Sequence, residues 1–281
     1  MTARLPTVLV PVFNSPAGLD ACVASFDRTL PSGSVVIIAD DASSDPNVES
    51  IARGWCERSR LDARYLRREC RIGLAANCNA AINDAGGEDV VLFKSDAVAT
   101  TGWLDKLARC AASEPRSATI VPWSNHAELC SFPNFGEGNP APEFPEAIVE
   151  AAASIAWTDC PELPTAVGPC MYLRRTALEQ IGGLDVDTFI GVRAMDDFCL
   201  RAAAMGWRNL LCPSAFVVSH GGESSLGIVG EELSRLIGRW PDYQERMARF
   251  IMSDPLYPLR ERLQARIGEL ARSGPQRDLF H

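Results

Sequence analysis

The sequence is poor in lysine, poor in histidine and without any local pairing of its cysteines. Only Lys94 and Lys106 are lysines among 27 basic residues, and the three histidines, His126, His220 and His281, lie far apart. With so many alanines alongside, the dominance of arginine reads as genomic base composition rather than arginine-specific recognition. A formal charge of -9 leaves no global basic field to gather phosphate backbones or anionic lipid, which argues against nucleic acid as a partner. The ten cysteines occur singly from Cys22 to Cys212, with no C-x-x-C pair and no cysteine-histidine cluster. That pattern excludes a recognisable zinc site and predicts buried, reduced thiols. No apolar run approaches the roughly 18 residues of a membrane span, and the opening MTARLPTVLV has none of the regions of a signal peptide. The expected location is the cytoplasm, at most at the inner face of the cell membrane.

A further absence lies after the first strand-like run. VPVFNSPAG contains neither a G-x-G-x-x-G fingerprint, which a dinucleotide-binding dehydrogenase requires, nor the Gly-rich phosphate loop of a sugar nucleotidyltransferase.

What is present is an alternation of short β-branched runs with helix-period segments, the pattern of a parallel sheet wrapped by helices. Val8–Phe13, Val35–Asp40, Arg64–Arg67 and Val90–Lys94 are the predicted strands. Leu19, Cys22, Val23 and Phe26 keep helical spacing after Ser15-Pro16, as do Val48, Ile51, Ala52 and Trp55 after Asp45-Pro46. Each pair supplies a capping residue followed by proline at the first helical position. Ligands of open parallel sheets bind beyond the carboxyl ends of the strands. Asn14, Asp40-Asp41 and Ser95-Asp96 stand at those ends. Packing does not account for repeated acids there, although turns also favour aspartate.

From Glu128 to Glu162 the chain is rich in Pro, Gly and Asn, with only Glu146–Ala156 helical in pattern, and it reads as a long loop over the active face, a candidate acceptor lid. A further α/β segment runs from Ala166 to His220. Beyond Gly230 the spacing of Leu233, Leu236, Ile237 and Trp240 predicts a helical tail packed on the body, with a peripheral membrane-surface helix as the lesser reading.

Taken in order, VLVPVFN, IIADDASSDP, RIGLAANCNAAIN, VVLFKSDAVATTGWLDKL, GPCMYLRRTALEQIGGLD and DDFCLRAAAMGWRN with VVSHGGESS resemble the family-2 glycosyltransferases of the GT-A fold. The similarity covers most of residues 5–225 and is nearest to bacterial surface-polysaccharide, rhamnosyltransferase-like members. The resemblance implies a Rossmann-like, mostly parallel sheet flanked by helices, with residues 1–100 as the nucleotide-sugar half, 101–225 as the acceptor and catalytic half, and 226–281 as a helical extension. It implies an inverting transferase that moves a hexose or deoxyhexose from a UDP- or dTDP-sugar to a glycan or lipid-linked glycan. The rival is a degenerate scaffold that binds nucleotide sugar or glycan without turnover.

Site residues follow from the same resemblance. Pro11, Val12, Asn14, Asp41, Arg71, Asn77 and Ser95 fall in the nucleotide segments, and Trp123, Asn125, His126 and Gly168 in the acceptor segments. A carboxylate at Asp41 can accept from the N3-H of uracil or thymine, and an Arg71 guanidinium suits phosphate; a turn cap and a solvated loop charge are the plainer alternatives. Gly168, before Pro169-Cys170, would let backbone approach the donor sugar, or simply make a turn. Asp96 stands where the family holds Mn2+ or Mg2+, but Ser95-Asp96-Ala97-Val98 lacks the second acid, and His220 is the further candidate ligand. The catalytic stretch departs most. Relatives carry acids at the positions of Ala194 and Met195, leaving Asp196 and Asp197 in Ala194-Met195-Asp196-Asp197-Phe198-Cys199. Asp196 is expected to act as the general base and Asp197 to orient the site, with the reverse assignment and a helix-dipole role left open.

Overall fold

The computed structural model describes residues 5–136, 138–221 and 226–273. His281, Gly222 and the end of the VVSHGGESS segment lie outside the described residues, as do the outer ends of the proposed 1–100 and 226–281 divisions.

The first half alternates β1 (Thr7–Val12), α1 (Pro16–Thr29), β2 (Val35–Asp40), α2 (Pro46–Arg58), β3 (Asp62–Arg67), α3 (Leu74–Asp84) and β4 (Val90–Phe93). Strands β1, β2 and β4 are almost wholly buried because helices cover both faces. Their side chains divide with the period of two that a pleated strand imposes. Leu9, Ile37 and Ala39 enter one core with α3, while Val8, Val10, Val12, Val36 and Ile38 enter the other with α1 and α2.

A short β5 (Ala97–Val98), α4 (Trp103–Ser113) and β6 (Ser117–Ser124) follow, then α5 (Pro145–Ser154), β7 (Cys170–Leu173), α6 (Arg175–Ile181), α7 (Arg193–Ala204) and β8 (Arg208–Ser219). The strands form one mixed sheet in the order β3-β2-β1-β4-β7-β6-β8-β5. β7 runs antiparallel to β4 and β6, whereas β1, β2, β3 and β4 are parallel and β6 pairs parallel with β8. Phe26, Phe93 and Trp103 pack in tilted and edge contacts, ring centroids 4.9 and 5.1 Å apart, and fix α1 and α4 to the sheet.

The two anticipated caps behave differently. Asp45 accepts from the Asn47 amide at 2.9 Å, whereas Ser15, at φ -129° and ψ 65°, has left the extended region normal for an N-cap and makes no capping bond.

The tail comprises α8 (Leu226–Arg239), α9 (Tyr243–Ser253) and α10 (Tyr257–Ser273). It docks through an apolar face, with Leu236, Leu256 and Leu263 fully buried in the main core, and through polar ties. Glu232, itself buried, accepts from the Ile190 and Gly191 amides, and Arg239 pairs with Asp185 and Asp197. α10 lies against α5, where Arg266 donates to Ser154 and Arg262 to the Ala156 carbonyl. Among the described residues no helix is long and apolar enough to cross a membrane.

Candidate active site

The carboxyl ends of β1 and β2 carry two residues in the left-handed region, Asn14 at φ +49° and Ala42 at φ +55°. For alanine this conformation costs roughly 1–2 kcal/mol and persists only where the surroundings impose it. The Asn14 side chain accepts from the Ser44 and Asp45 amides at 2.8 and 3.1 Å, so it shapes the β2–α2 loop rather than presenting a free amide. Pro11 and Val12 lie opposite Ala39 and Asp40 in register. Asp40 is consumed by the Ser43 amide, the Tyr65 hydroxyl and Arg67. Burial and the bond to Asp40 push the Tyr65 phenol up to about 12. Asp41 accepts from the Ile72 and Gly73 amides at 2.7 and 2.9 Å. One bond to each oxygen leaves further lone pairs for a nucleobase N-H.

Arg71 is not a loose surface charge, since its guanidinium lies 4.1 Å from the ring centroid of half-exposed Phe13, beside Asn14. Asn77, by contrast, points inward. Buried at 1% exposure, it donates to the Ala39 carbonyl and accepts from Arg68, so its place in the nucleotide group is corrected to a tie between α3 and β2.

Ser95 and Asp96 pass close beneath α1. A Cβ on Gly18 would lie 3.0 Å from the Ser95 carbonyl oxygen and 3.2 Å from the Asp96 Cα, so glycine there permits the approach. Pairing of β5 with β8 brings Asp96 to His220, whose amide donates to the Asp96 carbonyl at 3.2 Å. Lys94 Nζ lies 3.3 Å from the Asp96 carboxylate. The His126 ring sits beside the next residue, 3.6 Å from where a Cβ on Gly221 would be, and closer still to one on Gly138.

Trp123 is corrected to a core residue, with no exposure and its ring against Phe132. Asn125 is also inward, donating to the Asn139 and Ser219 carbonyls and accepting from the Ser219 amide, and thus ties the loop after β6 to β8. Gly168 meets no neighbouring atom where a Cβ would stand, so packing within the chain does not require glycine. The Lys94 amide bond to the Pro169 carbonyl holds that segment at the end of β4.

The two adjacent aspartates of α7 separate cleanly. Asp197 accepts from Arg201, Arg239 and the Trp240 indole at 2.7, 3.1 and 3.0 Å, so both oxygens are taken and the group joins α7 to α8. Asp196, equally buried, has one oxygen held by Arg193 at 2.6 Å; the buried Thr165 side chain is its other polar neighbour, although the second oxygen makes no bond of good geometry. Burial pushes its carboxyl up to about 6, opposed by Arg193 and the Thr165 side chain and reinforced by Glu128. Glu128, in the loop after β6, stands 3.6 Å from the same guanidinium. Neither Arg193 nor Glu128 is distinguishable in the sequence from an ordinary surface ion; only the fold joins them to Asp196.

A family model described as glycosyl transferase family 2 matches residues 7–182. The chain belongs to glycosyl transferase family 2. An N-acetylglucosaminyl-diphospho-decaprenol L-rhamnosyltransferase of Mycobacterium tuberculosis is 25% identical over 256 residues, covering 80% of this chain and 78% of the relative. Among solved structures, the mannosyltransferase PcManGT from Pyrobaculum calidifontis, in complex with GDP-Man and Mn2+, matches with a TM-score of 0.61 at 20% identity, over 96% of this chain and 75% of that one. S. aureus TarS 1-349 matches with a TM-score of 0.55 at 16% identity, over 97% and 92%. This glycosyl transferase family 2 chain therefore has the GT-A fold.

Whether its residues suit a divalent ion is decided by the donor set. Among the described residues no group of three or more His, Cys, Asp or Glu side chains could hold a metal. Asp96 and His220 are joined only through the backbone, and one or two carboxylates suffice for Mg2+ where substrate phosphates complete the coordination. The described residues form no cage for a resident ion, and Asp96 offers one carboxylate of the kind that binds an ion together with a diphosphate.

Proposed function

We propose that the chain transfers a sugar from a UDP- or dTDP-linked donor to a glycan or lipid-linked glycan, with inversion at the anomeric carbon, in the assembly of a cell-surface polysaccharide. The observation that carries the reading is Asp196, a fully buried carboxylate whose second oxygen makes no bond of good geometry and whose pKa is pushed up to about 6. Such a group is ionised at neutral pH yet basic enough to take a hydroxyl proton as attack proceeds, which is worth roughly 10²- to 10⁴-fold. The acceptor oxygen forms its bond to the anomeric carbon while the bond to the diphosphate oxygen breaks. The proton passes to Asp196 and the electron pair leaves with the nucleoside diphosphate. No glycosyl-enzyme intermediate is needed.

Asp41 receives the base N3-H, and Arg71, steadied on Phe13, faces the phosphates. Asp96 and His220 would hold Mn2+ or Mg2+ together with the diphosphate, and the ion would neutralise charge on the leaving group. Lys94, beside Asp96, supplies a fixed positive charge in the same place. Because Asp196 has no exposure, the acceptor reaches it by displacing the lid around Glu128 from Arg193. The mycobacterial relative's name supports a deoxyhexose donor and a lipid-diphosphate-linked acceptor as the first pair to try. Positioning donor and acceptor in line supplies much of the remaining acceleration.

A second reading rests on the same stretch. With Ala194 and Met195 at the positions of the relatives' acids and Asp196 fully covered, a binding protein without turnover has a specific basis. A thermal-shift panel of UDP, dTDP and GDP sugars with and without Mn2+ separates the two readings when followed by assay of nucleoside diphosphate release. A donor at 100 times its Kd stabilises by about 2.7 kcal/mol. Binding with release in the presence of a glycan acceptor supports the transferase; binding without release for any acceptor supports the second reading.

A further inference from the structure

Ten cysteines without sequence pairing gave no reason to expect thiol chemistry, yet the fold gathers three of them away from the candidate active site. Cys110 on α4, Cys160 in the segment that returns from the lid, and Cys212 on β8 meet on the face of the sheet that packs against α4. Cys110 Sγ lies 2.7 Å from Cys160 Sγ across 50 residues of chain. Cys212 Sγ lies 3.4 Å from the Ser214 hydroxyl and 3.6 Å from the Lys106 carbonyl. Cys110 and Cys212 are buried, whereas Cys160 is partly exposed.

We propose that Cys110 and Cys160 are a reversible redox pair, closed to a disulfide by peroxide and reopened by dithiols. The sulfurs need to approach by less than 1 Å to reach the covalent separation of about 2.05 Å. The partly exposed Cys160 thiolate attacks one peroxide oxygen, forming a sulfenic acid and releasing hydroxide, which is protonated to water. Cys110 then attacks that sulfur, losing its proton, and the hydroxyl leaves as a second water. Two thiols are oxidised by two electrons in all and one peroxide is reduced to two waters. Cys212 contributes a third thiol to the cluster, and hydrogen bonding with Cys160 and Cys212, with burial, holds the Cys110 thiol protonated, so Cys160 is the sulfur that reacts first.

The consequence is mechanical. Residues 161–163 already hang on β8 through the Leu211 amide to the Pro161 carbonyl and the Leu163 amide to the Asn209 carbonyl. A Cys110–Cys160 bond would add α4 to that anchor and close a 50-residue loop that contains the lid.

The test uses the full chain in its reduced form, treated with stoichiometric hydrogen peroxide, blocked with an alkylating agent and digested without reductant. A peptide joining Cys110 to Cys160 is expected, with Cys212 recovered as the free alkylated thiol and exposed Cys70 unlinked. The melting temperature should rise by about 5–10 °C and fall back with dithiothreitol. Cys160→Ser should lose both the linked peptide and the rise. Cys212→Ser should keep both, so a folding defect in one variant is recognised by the other. Absence of the linked peptide from the parent chain, linkage chiefly to Cys212, or an unchanged melting temperature with the bridge formed would overturn the proposal.

Discussion

Replacing Asp196 by asparagine removes a charge that the fold holds at a cost. Its carboxyl is raised from 3.8 to about 6, first by burial. Two units at about 1.36 kcal/mol each amount to ~3 kcal/mol by which ionised Asp196 weakens the native state at neutral pH. The sign follows from proton counting. Between pH 3.8 and 6 the folded chain binds more protons at this site than the unfolded chain, so its contribution falls as pH rises through that window and stays low above it. Asp196→Asn should therefore be more stable than the parent at pH 7.5, by an amount approaching ~3 kcal/mol less whatever Arg193 loses in its pairing, and the advantage should shrink toward zero near pH 4. Arg193 retains the asparagine oxygen and Glu128. Urea denaturation of both chains from pH 4 to 8 measures the difference directly. The same substitution should lower turnover by roughly 10²- to 10⁴-fold, and the parent's kcat/KM should fall on the acid side with a midpoint near 6. Stability curves that run parallel across the whole range would refute the claim that Asp196 is held ionised against its burial.

Asp197→Ala strands Arg201, Arg239 and the Trp240 indole around a buried gap and should cost about 3–5 kcal/mol in a denaturant titration, undocking α8. Asp41→Ala should weaken nucleotide binding by calorimetry with or without Mn2+, while Asp96→Asn should abolish chiefly the metal-dependent part. Gly191→Ala would place a Cβ 2.7 Å from Glu232 Oε2 and displace that carboxylate from the Ile190 and Gly191 amides. The expected cost is about 1–3 kcal/mol, with faster amide exchange at residues 190 and 191.

The strands of the first half are legible because a parallel sheet buried on both faces needs unbroken β-branched runs, which VLV, VVII and VVLF supply. Asp41 and Asp96 stood out because strand ends in such sheets face ligands. Asn77, Asn125 and Trp123 misled for a common reason: a motif fixes identity but not direction. Asn77 spends its amide on Ala39, 38 residues earlier, and Asn125 spends its own on Ser219, 94 residues later. Such partners leave no local trace. The division of labour between Asp196 and Asp197 was open in the sequence because both begin one helix. What distinguishes their surroundings is the tail, since of the two Arg239 and Trp240 bond only Asp197, and the proposed roles rest on that difference. The left-handed Ala42 was equally invisible, alanine being a residue that carries no preference for that region.

The central claim is direct transfer from a nucleotide sugar with Asp196 taking the acceptor proton. Proton NMR of a running reaction, using whichever UDP- or dTDP-sugar the thermal-shift panel selects, reads it in one spectrum series. The account predicts a new anomeric signal of configuration opposite to the donor's, rising in step with one equivalent of nucleoside diphosphate and lost in Asp196→Asn while donor binding persists. A product that retains the donor's configuration, or one formed at the parent rate by Asp196→Asn, would contradict it.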